Sequence, residues 1–293
     1  MLTRQFPFVH LDVFTSVPLE GNQLAVIPDA RGLSDDEMQK LAKEMNLSET
    51  TFVLPGDAET ESQEGVRVRI FTVNEELPFA GHPTLGTAWH LKQQRPDQAE
   101  IVLKLNAGRV PVSFEMRDGL WYGEMRQRDP EFGQLHEHAR VAHALGVPTA
   151  VLDEKLPIQS VSTGLPFTIV AFREVSQLSQ ATFSWPQLAS YIENIHSKSF
   201  FYFVARDGER KLRARMIFYN GEDPATGSAA GCTAAWAVKY GVLGSDEQAI
   251  IEQGREARRP SFLYVRATKS GDAITNVRVG GHVVPVIDGR VTM

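Results

Sequence analysis

Cysteine is almost absent from this sequence, since Cys232 is the single thiol among 293 residues. One cysteine cannot form an intramolecular disulfide, build a metal site of several thiolates or supply a two-thiol acid and base pair. A low cysteine content is typical of proteins that stay in a reducing compartment. We therefore expect a cytoplasmic protein.

Long apolar runs and clustered positive charge are also lacking. No stretch approaches the roughly 18 apolar residues of a membrane span. The first residues alternate like a strand and lack the basic and apolar regions of a signal peptide. The net charge is −6 and the pI is about 5.8, whereas binding to a phosphate backbone requires clustered lysine and arginine. We expect neither a membrane nor a nucleic acid as partner.

The motifs of several common enzyme classes are missing. There is no Gly-x-Gly-x-x-Gly after a strand, no P-loop and no Gly-x-Ser-x-Gly turn, so nicotinamide redox, nucleotide hydrolysis and α/β-hydrolase chemistry lack their parts. His136, His138 and His143 lack the spacing and neighbours of a metal site, and we predict that they lie on the surface. We predict no metal and no cofactor.

What the sequence does contain is an internal repeat. The stretch Asn74–Thr84 has a second copy at Asn220–Ala230, which places Gly81 and Gly227 146 positions apart (227 minus 81). The same separation joins further identical pairs, among them Arg67 with Arg213, Arg69 with Arg215, Glu76 with Glu222 and Thr87 with Thr233. Because this separation is half the chain, we predict two tandem domains, residues 1–128 and 129–293, with the last strand able to cross back to the first domain.

Each copy is predicted to form a strand–turn–helix corner whose glycine begins the helix. The first amides of a helix have no intrahelical acceptor and carry partial positive charge, so they suit an anion. The amides of Gly81 and His82 and those of Gly227 and Ser228 are candidate carboxylate-binding groups. An ordinary capped helix start is the alternative for one copy, but two copies favour a ligand site between the domains.

Candidate acid and base groups lie at or before these corners. Glu49 stands at the start of a predicted strand, where it suits proton transfer if it is buried, although a solvated glutamate is the alternative. His82, Asp223 and Ser228 are the polar residues of the corners. Two acids, a histidine and carboxylate-binding amides together suit proton abstraction beside a carboxylate, which is isomerase chemistry without a cofactor.

Five motifs, in order, resemble the PhzF family of phenazine-biosynthesis isomerases: Gly21–Val26, Asn46–Val53, Phe79–Thr84, Glu222–Ala229 and Val279–Gly281. They span nearly the whole chain. The resemblance implies an α+β fold like that of diaminopimelate epimerase, in which two similar domains each wrap a curved, mostly antiparallel sheet around a central helix. It also implies a homodimer and a small carboxylic acid as substrate.

The resemblance further implies roles for individual residues. Glu49 would move a proton of trans-2,3-dihydro-3-hydroxyanthranilate or a similar acid, with Asp223 and His82 as further catalytic residues. Gly81, Gly227 and Ser228 would bind the substrate. For Asp223, a helix cap is the alternative role.

Two other functions stay open at this point. One is an epimerase or racemase of a small amino acid that works without cysteine, with Glu49 and Asp223 as opposing base and acid. The other is a non-catalytic metabolite-binding protein. It is suggested by the stretch Gln253–Ser261, where Arg258 occupies a position that is glycine in many PhzF proteins.

Overall fold

The computed structural model describes residues 3–194, 199–218 and 221–293. Asn220, which begins the second predicted corner, lies outside these residues. The chain divides into two compact units. Unit 1 comprises Met1–Arg126 and Gly280–Met293, and unit 2 comprises Gln127–Val279. The sequence predicts a boundary between residues 128 and 129 and a last strand able to cross back; the structure places the boundary between residues 126 and 127 and groups residues 280–293 with unit 1.

Unit 1 contains eight strands and three helices within its described residues, together with the end of the last strand of the chain. In order they are β1 (Gln5–Val13), β2 (Asn22–Ile27), α1 (Asp35–Met45), β3 (Glu49–Leu54), α2 (Ala58–Glu64), β4 (Val66–Phe71), β5 (Glu76–Leu77), α3 (Gly81–Gln94), β6 (Glu100–Leu105), β7 (Gly108–Arg117) and β8 (Leu120–Arg126).

The described part of unit 2 has the following elements, the last of which continues into unit 1. They are β9 (Glu131–His136), α4 (His138–Leu145), a 3-10 turn (Thr149–Val151), β10 (Ile158–Ser162), β11 (Pro166–Phe172), α5 (Val175–Gln180), α6 (Trp185–Asn194), β12 (Phe200–Arg206), β13 (Lys211–Phe218), β14 (Gly221–Glu222), α7 (Gly227–Lys239), β15 (Ala249–Gln253), β16 (Ser261–Ser270) and β17 (Ala273–Thr292).

The two units repeat one pattern of strand pairing. In unit 1, β2 is parallel to β3, β3 antiparallel to β4, β4 parallel to β6, and β6 antiparallel to β7. In unit 2, β11, β12, β13, β15 and β16 pair in the same order and the same directions. Each unit also has one further strand beside this set. In unit 1, β17 pairs with β1, and in unit 2, β9 pairs with β10.

A small-residue helix lies at the centre of each unit. In α3 the first eight residues are all buried, and α7 is buried from Gly227 to Val238. α3 packs against β1, β2, β3, β6, β7 and β8, so the sheet wraps around it. A Cβ on Gly86 would lie 2.6 Å from the side chain of Leu24, which explains why the helix needs glycine at this contact.

One ion pair recurs at equivalent positions of both units. Arg69 holds Glu76 through two hydrogen bonds of 2.8 and 2.6 Å, and Arg215 holds Glu222 through two of 2.8 Å. Each pair joins the long strand before a corner, β4 or β13, to the short strand that enters it. Bidentate pairs of this kind fix the relative position of the two strands they join. The repeated arginines and glutamates therefore stabilise the corners.

Helix α1 begins with two reciprocal hydrogen bonds. Ser34 accepts a hydrogen bond from the backbone of Glu37, and the Glu37 carboxylate accepts one from the backbone of Ser34, which completes a capping box.

The prediction that the three histidines lie on the surface is wrong for His136. This residue is buried because β9 pairs with β10, and its Nε2 lies 3.0 Å from the hydroxyl of Ser160. Within the described residues, no helix is long and apolar enough to cross a bilayer.

Replacing Arg258 by glycine is expected to stabilise the protein. Arg258 is exposed and has φ of +57°, in the left-handed region that L-residues adopt at a cost. Glycine avoids that strain, so Arg258→Gly should raise the free energy of unfolding by roughly 0.5 to 1 kcal/mol after its larger backbone entropy is counted. Urea denaturation measures this difference. A destabilised variant would show that the arginine side chain supports the loop.

Candidate functional site

The first corner lies in unit 1, where β5 leads into α3. The helix begins at Gly81, as predicted, and its N-cap residue is Ala80 with an extended backbone (φ −148°). Alanine has no side-chain oxygen, so it makes no cap hydrogen bond, and the first turn of α3 contains no acidic residue. The first amides of α3 therefore lack the side-chain cap that the ordinary alternative requires, which favours an anion-binding role.

His82, the second residue of α3, is buried at this corner. Its Nδ1 lies 3.3 Å from Nδ2 of Asn22, the first residue of β2. Its Nε2 lies 3.5 Å from Oε2 of Glu49. Burial lowers the pKa of His82 to about 3, and a backbone hydrogen bond with Gln23 opposes that shift only in part. The ring is thus neutral near pH 7, and its contact with Glu49 is not an ion pair.

Glu49 is the first residue of β3 and stands opposite Leu24 of the parallel strand β2. Its side chain is 15% exposed, so the fully solvated alternative does not hold. The structure brings two predicted acid–base residues together, Glu49 and His82. Because the pKa of the His82 ring is about 3, His82 is not the member of this pair that accepts a proton at neutral pH.

Stability is expected to fall as the pH drops below about 6.5, the pKa of an unfolded histidine. Folded His82 has a pKa of about 3, so between these values the unfolded chain binds a proton that the folded chain does not. The contribution is fully present above the unfolded pKa and is lost, at up to about 1.4 kcal/mol per pH unit, as the pH falls toward the folded pKa.

Urea denaturation from about pH 7 to about pH 4 checks this pH dependence. His82→Gln should reduce the slope of stability against pH. His143→Gln, at an exposed position of α4, should leave the slope unchanged. Equal slopes in the two variants would contradict the burial argument.

The second corner lies in unit 2, where β14 leads into α7. The helix begins at Gly227, again as predicted, and its N-cap residue is Thr226, whose side chain makes no cap hydrogen bond. Asp223 and Ser228 are both buried here, 7% and 5% exposed. The hydroxyl of Thr226 donates to Oδ2 of Asp223 at 2.6 Å. Asp223 is therefore not the N-cap residue, which removes the alternative role considered for it.

Sequence reasoning missed the side chains that support these residues. Gln253 is fully buried, and its amide bonds to the backbone of both Thr226 and Asp223. Gln127 donates to the carbonyl of Gly227 at 2.9 Å. Their partners lie 27 and 100 positions away in sequence, so no local pattern reveals these contacts.

Cys232 lies within α7, where burial raises the pKa of its thiol to about 11. The thiol is 3.5 Å from the hydroxyl of Thr163. It is thus protonated at neutral pH and packed in the interior, unlike a reactive thiolate. Among the described residues, no group of three or more histidine, cysteine or acidic side chains could hold a metal ion.

Comparison with known proteins identifies the fold and the class. The family described as phenazine biosynthesis-like protein (PhzC-PhzF) matches residues 11–289. A trans-2,3-dihydro-3-hydroxyanthranilate isomerase of Pseudomonas aeruginosa is 35% identical over 97% of this chain and 98% of its own length.

Two solved structures superimpose over nearly the whole chain. A PhzF-family phenazine biosynthesis protein of Bacillus anthracis has a TM-score of 0.87 at 26% identity and covers 99% of this chain and 100% of its own. A predicted epimerase of Pseudomonas aeruginosa has a TM-score of 0.84 at 36% identity and covers 98% of this chain and 99% of its own. The predicted fold class is confirmed.

These observations define an isomerase built from two epimerase-like α+β units. The chain belongs to the PhzF family of phenazine biosynthesis-like proteins.

Proposed function

We propose that this protein is a cofactor-independent isomerase that moves a proton within a small carboxylic acid similar to trans-2,3-dihydro-3-hydroxyanthranilate. The observation that carries the proposal is the contact of Glu49 with the buried, neutral ring of His82, 3.5 Å apart. The isomerase relative, at 35% identity over nearly the full length of both chains, supports the substrate class.

In the proposed reaction, Glu49 takes a proton from a ring carbon of the substrate. The C–H bond breaks, its electron pair enters the conjugated system of the ring, and the double bond shifts as a proton is delivered to another ring carbon. A carboxylate positioned beside the C–H bond is a competent general base. His82 lies 3.5 Å from Glu49 and, with its pKa of about 3, does not compete for the proton.

Each corner is proposed to offer helix N-terminal amides that can bind a carboxylate group. The amides of Gly81 and those of Gly227 and Ser228 begin helices whose N-cap side chains make no hydrogen bond to the helix. A carboxylate at such amides also keeps negative charge near the positive end of the helix dipole. Asp223, next to the second helix, is proposed to take part in proton delivery. The homodimer and the cytoplasmic location remain predictions from the sequence.

Incubation with trans-2,3-dihydro-3-hydroxyanthranilate in deuterated water, followed by NMR of the product, tests the proposed function. We expect a shifted double bond in the product. A panel of small amino acids, analysed by chiral chromatography, tests the epimerase alternative, in which a stereocentre inverts and no double bond moves. Binding of these ligands without turnover or deuterium exchange would identify a metabolite-binding protein.

A further inference from the structure

A chain of hydrogen bonds ends on Asp223. The phenol of Tyr202 donates to Oε1 of Gln253 at 2.7 Å. Nε2 of Gln253 donates to the hydroxyl of Thr226 at 3.0 Å, and that hydroxyl donates to Oδ2 of Asp223 at 2.6 Å. All four residues are buried: Tyr202 and Gln253 fully, Thr226 and Asp223 to 6% and 7% exposure.

Backbone groups fix the direction of this chain. Oε1 of Gln253 accepts from the amide of Thr226 at 3.1 Å, and Nε2 donates to the carbonyl of Asp223 at 2.8 Å. A flipped carboxamide would put two donors together at one contact and two acceptors together at the other, so only one orientation is allowed. The Thr226 oxygen therefore accepts from Gln253, and its single proton is left for Asp223.

We propose that Gln253 and Thr226 are positioning residues, which hold Oδ2 of Asp223 as a permanent hydrogen-bond acceptor and so fix the orientation of its carboxylate. The inference rests on the proposed function for its catalytic meaning, although the hydrogen-bond chain stands apart from it. The carboxylate of Asp223 is then held in one orientation for proton exchange. Acid–base catalysis requires that kind of placement.

The equivalent corner of unit 1 lacks this chain of hydrogen bonds. Asp223 corresponds to Leu77 and Thr226 to Ala80, at the 146-position separation of the repeat. In the parallel strand pairs, Val66 stands opposite Leu103 and Leu212 opposite Ile251. This register places Leu105 where unit 2 has Gln253.

Three apolar residues thus occupy the positions that are polar in unit 2. The apolar set Leu77, Ala80 and Leu105 supports a corner in which the central helix also begins at glycine. The fold itself does not require the polar set. Thr226 and Gln253 occur together in the unit that contains Asp223 and both bond to it, which assigns them to its positioning.

Two titratable residues near Asp223 are Glu222 and Tyr202. Glu222, the preceding residue, is held by Arg215 through two hydrogen bonds. Tyr202 interacts electrostatically with Asp223, and the pKa of Tyr202 is raised well above the usual value by burial first and by the Asp223 charge second. Tyr202 therefore stays neutral as a donor at neutral pH.

Carbon-13 NMR of aspartate-labelled protein tests the proposal without any substrate. The Asp223 carboxyl resonance is assigned by its loss in Asp223→Asn. Thr226→Val removes the hydroxyl donor at nearly constant volume, and we expect it to raise the titration midpoint of Asp223 by about one pH unit or more, because a donor to a carboxylate favours the ionised form. Thr226→Ala replaces the valine variant if that variant does not fold.

Two matched variants distinguish the effect of the hydrogen bonds on the Asp223 midpoint from a general effect of altered packing. Thr226→Ser keeps the hydroxyl, and Tyr202→Phe removes the outermost donor while the Thr226 amide still fixes Gln253, so both should keep the midpoint of the parent protein. Equal midpoints in the valine and serine variants would overturn the proposal. A shifted midpoint in an inactive protein would support the hydrogen-bond chain and reject the proposed function.

Discussion

Replacing Glu49 by glutamine is expected to lower the isomerisation rate by about 10²- to 10⁴-fold, the range that a positioned general base contributes. Glutamine has almost the same shape but cannot accept a proton at its amide. Nor can His82 take over, since its ring has a pKa of about 3. Because the lost interaction operates on the proton in transit, kcat should fall far more than KM changes.

Steady-state kinetics with the proposed substrate provide the measurement. Glu44→Gln, at an exposed position of α1, is the matched control and should keep the parent rate. Similar thermal unfolding of both variants would exclude a folding defect as the cause. If Glu49→Gln retained more than about a tenth of the parent kcat, Glu49 would not be the base.

The second large effect is expected for Asp223→Asn, again about 10²- to 10⁴-fold in rate if Asp223 exchanges a proton with the substrate. The side-chain carbonyl of asparagine can still accept the hydroxyl of Thr226, now 2.6 Å from Oδ2, so the corner should stay intact. What disappears is the oxygen that carries the proton. The decrease in rate should again appear in kcat and not in KM.

Asp272→Asn, at an exposed turn between β16 and β17, is the matched control for this substitution. A parent-like rate in Asp223→Asn would reduce Asp223 to a structural role in the corner. A raised KM with unchanged kcat would assign it to substrate binding alone.

The repeat made the corners predictable from the sequence. Two glycines at half-chain separation indicated two helix starts, and α3 and α7 begin at Gly81 and Gly227. The separation also held for the ion pairs of Arg69 and Arg215, which the sequence presented as matched residues without revealing their partners. Repeated residues could be predicted because the same corner must be built twice.

The unrepeated residues were harder to interpret. Glu49 and His82 were candidates from residue type and the family resemblance, but their contact depends on β3 lying beside β2 in parallel. The role of Gln253 depends on the parallel pairing of β13 and β15. Strand register between distant segments is set by tertiary packing, which no local pattern encodes.

The environments of two single residues could not be predicted from the sequence. His136 is predicted at the surface because the residues around it lack the spacing and neighbours of a metal site, yet the pairing of β9 with β10 buries it. Arg258 has a left-handed backbone that the sequence suggested only through the glycine found at that position in many relatives. Both depend on backbone geometry that side-chain type specifies weakly.

The central claim is that Glu49 carries a proton across a bound carboxylic acid, and deuterium transfer tests it most directly. The parent protein and Glu49→Gln are incubated with the proposed substrate in deuterated water, and deuterium at each ring carbon is measured by NMR and mass spectrometry. We predict incorporation at the carbon that receives the proton with the parent protein, and none above the uncatalysed level with the variant. Equal incorporation by both proteins would contradict the account.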